Sequence, residues 1–168
     1  MLVWLCAAAA IAYVHRNSVS VAASTIRGDL GLSLDEMAIV LSSFFWGYAV
    51  FQIPSGWLAD RWGTRRLLSL IALVWSLATA AIAWANSFET MVTVRFIGGA
   101  AQAGIFACAT KSILKWFPST ERGMTSGFLG GFMSVGGAVG AFATGYLLPM
   151  LNWQSVFLLY AVPGLVWS

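Results

Sequence analysis

The stretch GWLADRWGTRR, residues 56–66, places four charged side chains between two long apolar runs. Residues 37–58, which lead into it, and residues 67–85, which follow it, contain no Asp, Glu, Lys or Arg. A helix of about 20 apolar residues is long enough to cross a bilayer, whereas charged side chains are expensive in hydrocarbon. The stretch therefore predicts a short basic loop, residues 59–66, between two transmembrane helices.

The composition of the whole chain points to the same solvent. Of 168 residues, 60% are hydrophobic and 9% are charged, and the mean hydropathy is +0.82. Soluble domains carry about 25% charged residues, so an ordinary soluble globule is excluded. Charge and turn residues divide the chain into six predicted helices of an all-α membrane protein, a single transmembrane domain over residues 1–168, at about 1–23, 37–58, 67–85, 90–114, 124–148 and 155–168.

The distribution of cations predicts how these helices are oriented. The connections after the second and fourth predicted helices are rich in Lys and Arg, whereas those on the other side hold Arg27 alone. The positive-inside rule places the basic connections in the cytoplasm, so the amino terminus is expected there too, in an integral, multi-pass protein of a bacterial inner membrane. The first helix has no basic tail before it and the sixth stops at Ser168 without polar flanks, so we expect a chain cut at both ends.

A polar stripe runs along the first predicted helix. Its members recur at spacings of three or four and therefore share one helix face: Tyr13, Arg16, Asn17, Ser20 and Ser24. An arginine near the middle of a span costs about 2.5 to 3.5 kcal/mol even on insertion scales, and such residues are usually functional. From the residues alone, Arg16 is equally well explained as a ligand-binding group or as a snorkelling or hydrogen-bonding structural residue.

Arg16 and Arg95 have no acidic counterpart inside the predicted spans, because all six acids lie in connections or at helix ends. The cavity around these two arginines is therefore expected to be electropositive and to favour anions, since a guanidinium binds a carboxylate or phosphate at two points. Tyr48 and Gln52 lie four apart on the second helix, where they either hydrogen-bond the hydroxyls of a ligand or pack between helices.

The segment at residues 56–66 resembles the motif between the second and third helices of the major facilitator superfamily. This resemblance implies a conformational latch, in which an acid and several arginines interact across a cytoplasmic gap and Gly56 allows close helix approach. The alternative is that the arginines are simply topogenic charges. The latch residues are predicted to be Gly56, Asp60, Arg61, Gly63, Arg65 and Arg66, with Glu121 and Arg122 in the next cytoplasmic connection.

Four further segments resemble the anion:cation symporter branch of this superfamily, which includes hexuronate, sugar-acid and vesicular glutamate carriers. They are residues 12–23, 43–60, 95–110 and 116–123. The resemblance implies the six-helix amino-terminal half of a twelve-helix fold, built from two inverted three-helix repeats, with its sixth helix truncated and its carboxy-terminal partner half missing. It also implies alternating-access transport of a small organic anion, a carboxylate or sugar acid, which this half alone would not perform. The implied substrate residues are Tyr13, Arg16, Asn17, Tyr48, Gln52 and Gln102, while Arg95 is either structural or a gating or proton-relay residue.

Ion coupling is where the sequence departs from the branch. His15 and Gln102 occupy positions that often hold acidic residues there, and a glutamine cannot carry a proton. His15, with an unperturbed pKa of about 6.5, is the coupling candidate if the coupling ion is H⁺, and Na⁺ is the other choice. The alternative is a lipid-facing or packing histidine.

Other function classes find little support. The chain has no basic patch for nucleic acid, no nucleophile, phosphate-loop or metal-ligand motif, and its two cysteines are far apart in apolar surroundings. We therefore expect no enzyme activity, no cofactor and no metal. The alternative to a transporter is a non-transporting membrane sensor or regulator, or a half-carrier that pairs with itself. Pairs of glycines four apart in the fifth helix predict close helix crossings.

Overall fold

A computed structural model describes residues 2–168, and in this range the chain is all helical. Met1, the first residue of the first predicted helix, lies outside it. The helices are α1 (Leu2–Leu30), α2 (Leu34–Trp62), α3 (Thr64–Ile82), α4 (Phe88–Trp116), α5 (Arg122–Leu147) and α6 (Trp153–Trp167). Of these, α1 to α5 are long and apolar enough to cross a membrane, and α6 is a shorter apolar helix. The predicted all-α membrane fold is confirmed.

The basic loop predicted over residues 59–66 is wrong, because nearly all of it is helical. Helix α2 continues to Trp62 and α3 starts at Thr64, so Gly63 alone separates them. Gly63 has φ +81° and ψ 149°, a conformation that side-chain-bearing residues rarely adopt. The charges of residues 60–66 therefore lie on the end turns of two helices that extend past their apolar runs, where the backbone keeps its helical hydrogen bonds.

Other helix ends also differ from the prediction, for local reasons. Helix α1 continues past the predicted end at Ala23 to Leu30 and stops where Gly31 adopts φ +65°. The Leu32 amide then donates to the Arg27 carbonyl at 3.0 Å, which closes the last turn. Helix α2 begins three residues before predicted position 37, because Ser33 and Glu36 form a reciprocal capping box.

Helix packing repeats itself in the two halves of the chain. Helix α1 packs along α5, and in the same way α4 packs along α2. Likewise, α6 contacts α1 as α3 contacts α4, and α3 and α6 contact each other. This pattern is that of two three-helix repeats, α1–α3 and α4–α6, as predicted. The α2–α4 crossing is tight, because a Cβ at Gly47 would overlap the Phe96 carbonyl and one at Gly99 would overlap the Phe44 carbonyl.

The α1–α5 crossing uses one of the two predicted glycine pairs. A Cβ at Gly136 would overlap the Ala10 backbone, and one at Gly140 would lie 2.8 Å from the Val14 Cα. For the other pair, Gly127 and Gly131, no atom of another described element lies within 4 Å of such a Cβ. The prediction of close crossings is thus right for Gly136 and Gly140 and wrong for Gly127 and Gly131, because these two glycines lie on an exposed face of α5.

Two hydrophobic clusters divide the buried interior. One contains Leu5, Ala12 and Trp75 and lies toward the start of α1, and the other contains Val19 and Phe157 and lies toward its end. Both cysteines are free and buried in the first cluster region. On α1 the interval between the clusters, residues 13–18, holds the polar side chains. The polar site therefore occupies the middle of the bundle.

Candidate anion-binding site

The Arg16 guanidinium lies among three aromatic rings. Its Cζ is 4.6 Å from the ring centre of Tyr13, 5.0 Å from that of Phe44 and 4.9 Å from that of Tyr48. Tyr13 stands one turn before Arg16 on α1, and Phe44 and Tyr48 stand one turn apart on α2. Cation–π contact with each ring stabilises the charge in surroundings that offer no counter-ion. The arrangement fixes the guanidinium at the junction of the two helices.

Gln102 of α4 completes this cage. Its Nε2 donates to the Ala12 carbonyl at 3.3 Å, which turns its Oε1 toward Arg16, and one terminal nitrogen of Arg16 donates to that oxygen at 3.4 Å. A 3.4 Å bond is long and therefore weak. Within residues 2–168 the buried Nε of Arg16 has no hydrogen-bond partner. The half-buried guanidinium thus has a donor that no described residue satisfies.

Arg95 contacts the same Phe44 ring as Arg16. Its side chain is 4% exposed, its Cζ is 4.6 Å from the Phe44 ring centre, and its Nε has no partner in the described part of the chain. A small cavity of about 10 Å³ is lined by Arg95, Phe44 and Gln102, and another of about 30 Å³ is lined by Arg16, Tyr48 and Gln102. Both cavities are too small for anything larger than water.

The remaining residues of the predicted site are less closely gathered. Asn17 is half-buried against α5, where a Cβ at Gly137 would lie 2.6 Å from its Nδ2. Ser20 is exposed, and Gln52 is exposed one turn beyond Tyr48 and outside the cavity beside Arg16. The structure therefore brings together Tyr13, Arg16, Tyr48 and Gln102 and leaves Gln52 apart. Phe44 was missed by the sequence reasoning: its spacing of four places it on the same face of α2 as Tyr48, but an aromatic residue in an apolar run does not by itself mark a site.

His15 packs away from the Arg16 cage, against α3 and α6. Its side chain is 3% exposed, its Nε2 donates to the Tyr160 carbonyl at 2.6 Å, and its Nδ1 lies 3.1 Å from the Thr79 hydroxyl. The Thr79 oxygen also lies 2.9 Å from the Trp75 carbonyl. His15 thus links three helices, and it lines the same small cavity as Arg95 and Gln102.

The charged cluster at the α2–α3 junction pairs differently from the prediction. Asp60 forms an ion pair with Lys111 of α4, and no arginine of the described chain pairs with it. Lys111 Nζ also donates to the Gly56 carbonyl at 2.9 Å, whereas Arg61 stacks on the Trp57 ring at 4.7 Å. Lys111 is therefore the cation that the motif uses. Lys111 was not among the predicted latch residues.

Gly56 does not serve as a close-approach point, which corrects the prediction. No atom of another described element lies within 4 Å of where its Cβ would stand, because α4 reaches it through the long Lys111 side chain rather than through its backbone. In the next connection, Arg122 donates to the Leu114 and Phe117 carbonyls at 3.0 Å each and so caps the end of α4. Glu121 is the N-cap residue of α5.

Arg65 and Arg66 complete the predicted cluster at the start of α3. Both are exposed, and Arg65 lines a cavity of about 550 Å³ together with Trp4, Trp116 and Trp167. Within residues 2–168, no group of three or more His, Cys, Asp or Glu side chains is placed to hold a metal ion.

A single family profile spans almost all of this architecture. Residues 5–168 match the Major Facilitator Superfamily. The chain belongs to the Major Facilitator Superfamily. Its match to solved structures agrees: a bacterial homologue of the human lysosomal transporter Spinster, in an inward-facing and unoccupied conformation, superimposes with a TM-score of 0.85 at 22% identity, over 99% of this chain and 40% of that one. At that identity the likeness shows the fold, which is a six-helix half of the major facilitator architecture.

Sequence relatives within the superfamily are named as carriers of sugar acids and other anions. The chain is 34% identical over 158 residues to a probable sulfoacetate transporter of Cupriavidus necator and 32% identical over 168 residues to a hexuronate transporter of Bacillus subtilis. It is 37% identical over 158 residues to a probable L-galactonate transporter of Escherichia coli. These matches cover 94%, 100% and 94% of this chain but 37%, 40% and 35% of the relatives. The predicted resemblance to the anion carriers is confirmed, and the chain spans about 40% of their length.

Proposed function

We propose that this chain forms half of a secondary transporter that moves a small organic anion, a carboxylate or sugar acid, across the membrane. The observation that carries the proposal is Arg16, a half-buried guanidinium in the middle of α1, held by aromatic rings and a neutral amide, with a buried donor unpartnered among residues 2–168. An anion is the ligand that such a group lacks. The names of the relatives, transporters of hexuronate, galactonate and sulfoacetate, support this class.

The Arg16 cage forms one wall of a substrate site rather than a closed pocket. The adjoining cavity of about 30 Å³ is far below the several hundred Å³ that ligand pockets usually offer. Large apolar side chains of α2 and α5, among them Phe45, Ile53, Phe132 and Phe142, are exposed on the bundle surface. We propose that a second six-helix half supplies the opposite wall, that substrate binds between the halves, and that their rocking gives alternating access. The chain by itself would then bind weakly and not transport.

The Asp60–Lys111 pair is proposed as the core of a cytoplasmic latch. It joins the last turn of α2 to α4, and the Lys111 bond to the Gly56 carbonyl adds a second tie. The Asp60 side chain is 70% exposed, so the pair is worth at most about 1 kcal/mol. A tie that weak can open and close in each transport cycle. Arg61, Arg65 and Arg66 are exposed charges at the same junction of α2 and α3.

His15 is the proposed coupling group for H⁺, because no carboxylate lies in the middle of the spans. Two hydrogen arrangements satisfy its contacts: a neutral ring accepting from Thr79, or a charged ring donating to Thr79 while Thr79 donates to Trp75. Changing from the neutral to the charged ring adds one proton at Nδ1 and rotates the Thr79 hydroxyl toward the Trp75 carbonyl. If uptake by a His15→Gln carrier keeps the pH dependence of the parent, His15 is a packing residue and Na⁺ becomes the coupling ion to test.

Proteoliposome uptake tests the function itself. The full-length protein that contains this chain should accumulate a radiolabelled sugar acid such as D-galactonate, and the solute recovered from the lumen should be chemically unchanged. Arg16→Gln should abolish uptake, whereas Arg27→Gln should not. Arg27 is the matched control, because it lies on the same helix about 16 Å further along it. Uptake that survives Arg16→Gln refutes the site, and failure of the parent protein to take up any organic anion refutes the function.

The proposed placement is a bacterial inner membrane with the amino terminus in the cytoplasm. Single cysteines introduced at Arg65 and at Ser33, in a background lacking Cys6 and Cys108, test it in intact cells. A membrane-impermeant thiol reagent should label the position-33 cysteine and spare the position-65 cysteine. The reverse pattern would invert the proposed topology.

A further inference from the structure

Arg16 and Arg95 both contact the Phe44 ring, so two positive charges lie close together. Their Cζ atoms are 5.0 Å and 4.6 Å from the Phe44 ring centre. The two charges therefore lie within about 10 Å of each other, in surroundings where charges interact more strongly than in water. All six acidic residues stand at helix ends or in connections, and the ion pair formed by Asp60 engages Lys111 instead. Neither arginine is neutralised by the described chain.

Neutral groups only partly replace a counter-ion here. Gln102 reaches Arg16 through one long bond, and Phe44 offers its ring to both guanidinium groups. The Nε atoms of both arginines are buried and unpartnered within residues 2–168. A ligand with one negative charge would balance one arginine and leave the other in place. A ligand with two negative charges would balance both.

We propose that this site selects doubly charged organic anions over singly charged ones. Arg16, which is half-buried, contacts one acidic group directly, and Arg95, which is 4% exposed behind Phe44, acts on the ligand through its field. The inference rests on the proposed anion transport and adds to it the charge of the substrate. Arg95 is thereby a specificity-determining residue rather than only a structural one.

Coulomb's law gives the size of the effect. At about 10 Å and an effective dielectric of about 20, one ligand charge gains about a tenfold factor in affinity from Arg95. Because the energies of the two charges add, a dianion whose charges both lie at about that distance gains about a hundredfold. Removing the Arg95 charge should therefore weaken dianion binding about tenfold more than monoanion binding.

Two pairs of probes, each matched in carbon number, test the proposal. D-glucarate and D-gluconate share a six-carbon chain and differ in one terminal group, as do the four-carbon acids succinate and butyrate. Binding of all four is measured by calorimetry on the full-length purified protein at neutral pH, where every carboxyl is ionised. The variants are Arg95→Gln, which removes the charge, Arg95→Lys, which keeps it, and Arg27→Gln as a charge-loss control far from Phe44.

The expected result is a dianion preference of about tenfold or more in at least one probe pair. Arg95→Gln should narrow that preference about tenfold, and Arg95→Lys and Arg27→Gln should keep it. Equal affinities for the two members of every pair overturn the inference while leaving anion transport in place. A preference that survives Arg95→Gln also overturns it. If Arg95→Gln fails to fold, the parent preference and its retention in Arg95→Lys decide. If no probe binds the parent protein, the proposed function fails and this inference with it.

Discussion

Gly99 is the position where one methyl group tests the packing of the site most directly. An alanine Cβ there would overlap the Phe44 carbonyl and lie 2.8 Å from the Phe44 carbonyl carbon, about 0.6 Å inside an ordinary contact. Both neighbours are helix backbone, so α2 and α4 must separate along their crossing. Overpacking of this kind costs about 1–3 kcal/mol. The displaced residue is Phe44, so anion affinity should fall together with stability.

Gly98 is the matched control, because it is the adjacent residue on the same helix. A Cβ at Gly98 meets only the Ala78 methyl, at 3.7 Å, which is ordinary van der Waals contact. Alanine is favoured over glycine within a helix by up to about 1 kcal/mol, so Gly98→Ala should be neutral or stabilising. Because that helix preference applies to both variants, they should differ by the overpacking cost of about 1–3 kcal/mol in unfolding free energy, seen as a separation of several degrees in Tm by thermal unfolding in detergent. Equal melting temperatures for Gly99→Ala and Gly98→Ala would refute the tight crossing.

Three further changes test other parts of the structure. Asp60→Asn removes the ion pair with Lys111. Because the pair is exposed, Tm should move by no more than a degree or two, while the uptake rate changes. A large loss of Tm would contradict a latch of low energy. Gly63→Ala forces a side chain into φ +81°, which should lower the unfolding free energy by about 1–3 kcal/mol in the same melting assay; an unchanged Tm would show that this turn relaxes freely. His15→Val roughly preserves the side-chain volume but removes the contacts to Tyr160 and Thr79, so it should lower Tm. His15→Gln keeps polar atoms and should lower Tm less. The opposite order would refute the role of His15 in linking three helices.

The number and type of helices could be predicted from the sequence, but their ends could not. Apolar length is a property of the sequence itself, and it fixed each span. Helix ends depend on competing local bonds, and the charges of residues 60–66 were read as a loop because they cannot enter hydrocarbon. They can, however, occupy helical turns that project beyond the hydrocarbon, and Gly63 breaks the helix at one residue only.

The candidate site was predictable where it depends on one helix and not where it depends on several. Tyr13 and Arg16 follow from spacing on α1, and Gln102 from resemblance. Phe44 was missed because an aromatic residue in an apolar run carries no polar signal; its role follows only from the contact of α2 with α1 and α4. The Lys111 partner of Asp60 was missed because the two residues lie on different helices, 51 positions apart in sequence.

The packing of the repeats explains why the two arginines meet at Phe44. Arg16 stands on α1, the first helix of its repeat, and Arg95 on α4, the first helix of the other. Each of these helices is held by a glycine crossing, α4 against α2 at Gly99 and α1 against α5 at Gly140. Gly99 lies one turn after Arg95 on α4. Gly140 contacts Val14, which lies two residues before Arg16 on α1. The α2–α4 crossing sets Phe44 against Gly99, one turn from Arg95, and the Arg16 guanidinium contacts the same Phe44 ring. A change that loosens this crossing should therefore alter the effects of both arginines, and Gly99→Ala should weaken dianion binding more than monoanion binding.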